Sequence, residues 1–128
     1  MTQGVERTGI YDEPSAETIE SWFRETGAFL IGHFKLSSGR HSHVYLEKFA
    51  VLQHPEYLTR LCAALAHRFA GAGVETVVGP LTGGAILAYD VARHLGVRFI
   101  FPERVEGRMT WRRGFSLRPG EKVLVVED

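Results

Sequence analysis

The stretch that most constrains the fold is the last one, Lys122-Val123-Leu124-Val125-Val126-Glu127-Asp128. Four consecutive aliphatic residues read as a strand buried on both faces, the pattern of a parallel sheet. Two carboxylates follow at once. Open α/β sheets bind their ligands at the carboxyl ends of their strands. Chain ends usually lie at the surface and away from clefts. The pattern therefore predicts the front part of a longer protein, with the last part of the sheet missing.

Two more strands fit the same sheet. Thr76-Val77-Val78 runs into the loop Gly79-Pro80-Leu81-Thr82-Gly83-Gly84, and a helix is expected from Ala85 to His94, closed by Gly96. Val97 to Phe101 is the next strand. Strand, helix and strand in so short a span make a βαβ unit, whose strands lie parallel. If all three strands are parallel, three segments leave the sheet on one edge: the glycine loop, Glu103-Arg104 and Glu127-Asp128.

The front of the chain supplies other elements. Met1 to Glu13 is polar and expected to be flexible. Pro14 and Ser15 open a helix to about Thr26, with Ile19, Trp22 and Phe23 on one face and Gly27 as the stop. Phe34, Lys35 and Leu36 alternate like a half-buried strand. Ser37-Ser38-Gly39-Arg40 forms a turn, and His43 to Lys48 returns as a second strand. Pro55 starts a further helix, in which Leu58, Leu61, Cys62, Leu65 and Phe69 share a face. Glu103 to Ser116 is polar and carries Arg104, Arg108, Arg112 and Arg113, so it reads as a mobile flap or a short hairpin.

Composition narrows the class. The chain has 128 residues, enough for a single domain, with 45% hydrophobic and 23% charged residues. Fifteen basic residues balance fifteen acidic ones, which gives no reason to expect nucleic acid or a membrane as partner. No apolar run approaches the ~18 residues of a membrane helix. A single cysteine, Cys62, suits a cytoplasmic setting and makes no internal disulfide.

Each candidate site has a functional and a structural reading. The glycine loop can cradle an anion with backbone amides near a helix start, or it can be a tight turn. It misses the P-loop pattern, because Ala85 stands where lysine is required. Glu127 and Asp128 can accept hydrogen bonds from ribose hydroxyls or bind Mg²⁺, or they can be a solvated strand end. The flap arginines match polyphosphate, or form an exposed basic loop. His41 and His43 have a spacing that can hold a metal, or are surface histidines. Cys62 lies on an apolar helix face, which argues against a nucleophile.

Several of these residues resemble a known family. Lys122 to Asp128 is similar to the first half of the phosphoribosyl pyrophosphate (PRPP) motif of type I phosphoribosyltransferases. Phe34-Lys35-Leu36-Ser37-Ser38-Gly39-Arg40 resembles the early signature of orotate phosphoribosyltransferases, and Gly79-Pro80 with its glycines resembles their pyrophosphate-side loop. The resemblance covers about residues 16 to 128.

It implies an open parallel sheet flanked by helices, preceded by an N-terminal helix and an antiparallel hairpin. It implies transfer of the phosphoribosyl group from PRPP to orotate, with Mg²⁺ carried mainly by PRPP, in a cytoplasmic homodimer that shares its flaps. Arg104, Glu127 and Asp128 would be catalytic. Ser37, Ser38, Gly39, Arg40, Thr82, Gly83, Gly84 and Arg108, with the two acids, would bind substrate. Many family members carry lysine where this chain has Ser37 and Gly83. A PRPP-binding regulator, a purine phosphoribosyltransferase and a plain structural domain are the alternatives.

Overall fold

The computed structural model describes residues 12–128. The flexible leader expected over 1–13 lies outside the described residues, apart from its last two positions.

Ser15 caps the first helix, α1 (Ala16–Glu25), by accepting a hydrogen bond from the Thr18 amide at 3.1 Å. Gly27, with φ of 72°, turns the chain out of it. Trp22 is its buried residue. The indole stacks on Tyr57 with centroids 5.0 Å apart, and the Arg60 guanidinium covers it at 4.8 Å. These contacts dock α1 on the later helix α3 (Pro55–Phe69).

Strands β1 (Phe29–Lys35) and β2 (His41–Leu46) form the expected antiparallel hairpin, with β2 two residues earlier than predicted at each end. The Leu36 amide donates to Arg40 O at 2.7 Å, which closes the Ser37–Arg40 turn. The register shifts between Ile31 and Phe34, a bulge. The alternation expected over Phe34, Lys35 and Leu36 is present, with Phe34 and Leu36 half-buried and Lys35 exposed, whereas Ile31 earlier in the strand is 84% exposed. Both faces of the hairpin are largely open because it stands apart from the parallel sheet.

A short helix not foreseen in the sequence, α2 (Phe49–Leu52), follows. Its Val51 is fully buried, which anchors the end of the hairpin.

The parallel sheet has the order β4-β3-β7, with β3 (Thr76–Val78) between β4 (Arg98–Ile100) and β7 (Val123–Val125). Val78 pairs with Ile100 on one side and Val125 on the other, so the three strands end in step. Helix α4 (Gly83–Leu95) joins β3 to β4. Its Leu87, Ala88, Val91 and Ala92 pack with Cys62 and Ala66 of α3, Val77 of β3 and Val126. Small side chains here let the helices approach closely. Asp90 of α4, 8% exposed, ties the pair further through Arg93 and His94, both of which reach Thr59 of α3.

Two expectations need correction. Gly83 and Gly84 belong to the first turn of α4 rather than to the preceding loop. The last strand is not buried on both faces: Leu124 and Val126 face the core, but Val125 on the opposite face is 68% exposed.

The arginine-rich segment is a hairpin, β5 (Glu103–Val105) and β6 (Arg108–Thr110). Glu106 and Gly107, both with positive φ, make its two-residue turn. The returning chain is pinned at the amino ends of the parallel strands. Glu121, with a side chain 2% exposed, accepts from Thr76 Oγ1 at 2.7 Å, Arg98 Nη2 at 3.0 Å and Arg118 Nε at 3.1 Å. No helix among the described residues is long and apolar enough to cross a membrane.

Candidate active site

Because the parallel strands end in step, their exits meet. The Gly79 amide donates to Ile100 O, the Leu81 amide to Pro102 O and the Val126 amide to Val78 O. The glycine loop, the base of the arginine hairpin and the acid pair are therefore stitched to one edge, as the parallel arrangement requires.

Close packing explains the glycines. A Cβ on Gly79 would strike the Gly84 carbonyl oxygen and lie 2.7 Å from Ala88 Cβ. A Cβ on Gly84 would lie 2.6 Å from Glu127 Oε1 and 2.8 Å from Pro80 Cδ. A Cβ on Gly83 would strike Asp128 Oδ2. Both carboxylates thus lie against the first turn of α4. A helix start carries unsatisfied amides and partial positive charge, which favours anions there. The loop between them contains a cis peptide between Leu81 and Thr82, and Thr82 is exposed.

The acids have a partner that the sequence did not reveal. Lys48 Nζ lies 2.9 Å from Asp128 Oδ2. The hydrogen bond from Lys48 holds the Asp128 carboxyl below its usual range, and the same bond raises the lysine. Glu127 Oε1 accepts from the Asp128 amide at 3.0 Å. Nothing in the spacing of Lys48 marks it. It reaches the acids only because the hairpin closes, with the Glu47 amide donating to Ala28 O at 2.8 Å. Lys48, Glu127 and Asp128, with the Glu13–Arg68 pair, form the polar side of a hollow of about 490 Å³, whose apolar side includes Leu46, Leu52 and Leu87.

Other predicted residues stand apart from this cluster. Ser37, Ser38, Gly39 and Arg40 are exposed at the tip of the first hairpin. Arg104 and Arg108 are exposed on the second, and Arg104 Nη1 donates to Gly107 O at 3.0 Å within it. Arg113 pairs with Glu103 at 3.0 Å. His41 meets His33, another residue the sequence did not single out, with ring nitrogens 2.6 Å apart. Among the described residues, no group of three or more His, Cys, Asp or Glu could hold a metal ion. Cys62 is fully buried, and burial pushes its thiol up to about 12, which keeps it from acting as a thiolate.

Paired carboxylates beside a helix start can accept hydrogen bonds from vicinal hydroxyls and stabilise positive charge. The neighbouring amides can receive an anion. The arginine hairpin rising from the same edge can cover both.

No family model matches the chain. It is 57% identical over 112 residues to an orotate phosphoribosyltransferase of Desulforamulus reducens, and 58% identical over 112 residues to one of Pelotomaculum thermopropionicum. Each match covers 88% of this chain and 59% of the relative. A solved orotate phosphoribosyltransferase from Aeropyrum pernix superposes with a TM-score of 0.58 at 26% identity, covering 78% of this chain and 54% of that one. The chain is thus a sequence relative of the orotate phosphoribosyltransferases with the type I phosphoribosyltransferase fold, and it spans about three fifths of the length of the curated relatives it matches.

Proposed function

We propose that the protein transfers the 5-phosphoribosyl group of PRPP to orotate, giving orotidine 5′-monophosphate and pyrophosphate in pyrimidine synthesis. The observation that carries this reading is the seating of Glu127 and Asp128 against Gly84 and Gly83, on the edge where the arginine hairpin also begins.

The roles follow from charge and reach. The bond from C1 of the ribose to pyrophosphate breaks as a ring nitrogen of orotate bonds to C1. Positive charge builds on the ribose, and two carboxylates beside its hydroxyls stabilise it. The start of α4 at Thr82, Gly83 and Gly84 faces the leaving pyrophosphate with amide donors. Arg104, helped by Arg108, closes over that group, neutralises it and excludes water. Ser37 to Arg40 border the orotate and ribose. Among the described residues no side-chain cluster could hold a metal ion by itself, so Mg²⁺ would be carried mainly by PRPP. That suits a cation that takes its oxygens from a diphosphate and water. When bound, Mg²⁺ would supply charge neutralisation on the pyrophosphate.

The partners in this reading are PRPP, orotate and a second copy of the chain, whose hairpin would serve the neighbouring site. The setting is the cytoplasm.

The test is loss of orotate absorbance on adding PRPP to the full-length protein, with and without Mg²⁺. Metal-dependent loss, reversed by pyrophosphate, is the expected result. PRPP binding without turnover would favour a non-catalytic PRPP-binding regulator. Consumption of a purine base in place of orotate would favour a purine enzyme.

A further inference from the structure

The Asp128 carboxylate is held from two sides. One side is the first turn of α4, where only glycine at 83 leaves it room. The other is the Lys48 ammonium, 2.9 Å from Oδ2. The carboxylate side chain is 17% exposed and the lysine 42%.

The lysine is delivered by a fixed main chain. The Val51 and Leu52 amides donate to Lys48 O, so the residue starts α2, and Val51 is fully buried three positions on. Other charged and titratable groups among the described residues surround the pair. Glu127 adjoins Asp128, Tyr45 faces Lys48, and the Glu13–Arg68 pair lines the same hollow.

We infer that Lys48 is a positioning residue for the acid pair, fixing Asp128 beside Gly83 before any ligand arrives. The inference rests on the transferase reading above. A carboxylate already seated needs no reorganisation as positive charge grows on the ribose, and such preorganisation lowers barriers. An ordinary exposed ion pair would contribute little even to stability.

The test compares Lys48→Met and Lys48→Arg with the parent in the full-length protein. Lys48→Met should lose kcat by roughly tenfold to a hundredfold, the cost of misplacing a reacting group by about 1 Å. KM for PRPP should change little. The acid limb of the kcat–pH profile should move to higher pH, because Asp128 loses the ammonium that favours its ionised form. Lys48→Arg should restore most of the rate and return the limb.

Unchanged kcat and limb in Lys48→Met would overturn the inference. So would a loss confined to KM with the limb in place, since Lys48 would then bind ligand directly. Carboxyl NMR titration of Asp128 gives a readout without turnover. Its midpoint should rise in Lys48→Met, and an unmoved midpoint rejects the positioning role. An inactive parent would sink the transferase reading and still leave Lys48 to be judged by that titration.

Discussion

Asp128 and Gly83 share one small space: the carboxylate oxygen lies where a methyl group on residue 83 would be. The two residues are far apart in sequence, and parallel pairing of β3 with β7 brings them together. This relationship separates two kinds of glycine in the loop. Gly79 is hemmed in by the backbone of Gly84, which cannot step aside, whereas Gly83 is hemmed in by a side chain, which can.

Gly79→Ala and Gly83→Ala should therefore fail differently. Overpacking against backbone typically costs about 1–3 kcal/mol, so Gly79→Ala should lower the urea midpoint clearly. Gly83 opens α4 and its added methyl would meet only the movable Asp128 side chain, so Gly83→Ala should cost less stability than Gly79→Ala. In Gly83→Ala the Asp128 carboxylate must swing out, and kcat should fall with the fold intact. Equal midpoints for the two variants would contradict this assignment.

Glu121 sets an acid limit on stability. Its carboxyl is lowered from 4.5 to about 2, first by the hydrogen bond from Thr76 and then by that from Arg98, against the opposing effect of burial. A carboxyl lowered on folding contributes fully above its unfolded pKa and loses that contribution as pH falls through its folded one. Stability should hold above about pH 4.5 and decline toward pH 2. Glu121→Gln should be less stable at neutral pH and show a flatter acid limb. A parallel pH dependence in parent and variant would remove Glu121 as the cause.

Cys62 should be silent. With its thiol at about 12 and no exposed surface, a disulfide-forming reagent at pH 8 should label it only after urea unfolds the chain. Cys62→Ala should leave turnover unchanged, because its contacts are with core residues of α3 and α4. Rapid labelling of the native protein would mean that these helices open readily.

Which features are legible in sequence follows from the range of the forces involved. The runs Thr76–Val78 and Lys122–Val126 mark parallel strands because aliphatic density is local. Ser15, Gly27 and Pro55 mark helix ends because capping is local too. Lys48 is invisible because its meaning depends on a contact across 80 positions. The exposure of Val125 is equally invisible, since it depends on what covers the face of β7 opposite Leu124 and Val126. Gly83 and Gly84 read as loop because glycine weakens a helix, yet packing against the acids outweighs that preference. Glu121 looks like a turn residue after Pro119-Gly120, and only the fold turns it toward Thr76 and Arg98.

The arginine hairpin gives the last prediction. Arg104 is exposed, and its bond to Gly107 O stays within its own turn, so Arg104→Ala should change stability by no more than about 0.5 kcal/mol. Its kcat should fall roughly a hundredfold if the side chain closes on the leaving group, and that of Arg108→Ala by less. Mixing then tests whose site the hairpin serves. Arg104→Ala and Asp128→Asn are each expected to be nearly inactive. If each hairpin covers the partner's site, a mixed dimer holds one site with both defects and one with neither. Random pairing makes half of the dimers mixed, so about a quarter of all sites should regain activity. If each hairpin covers its own site, every site in the mixture carries one defect and no activity returns.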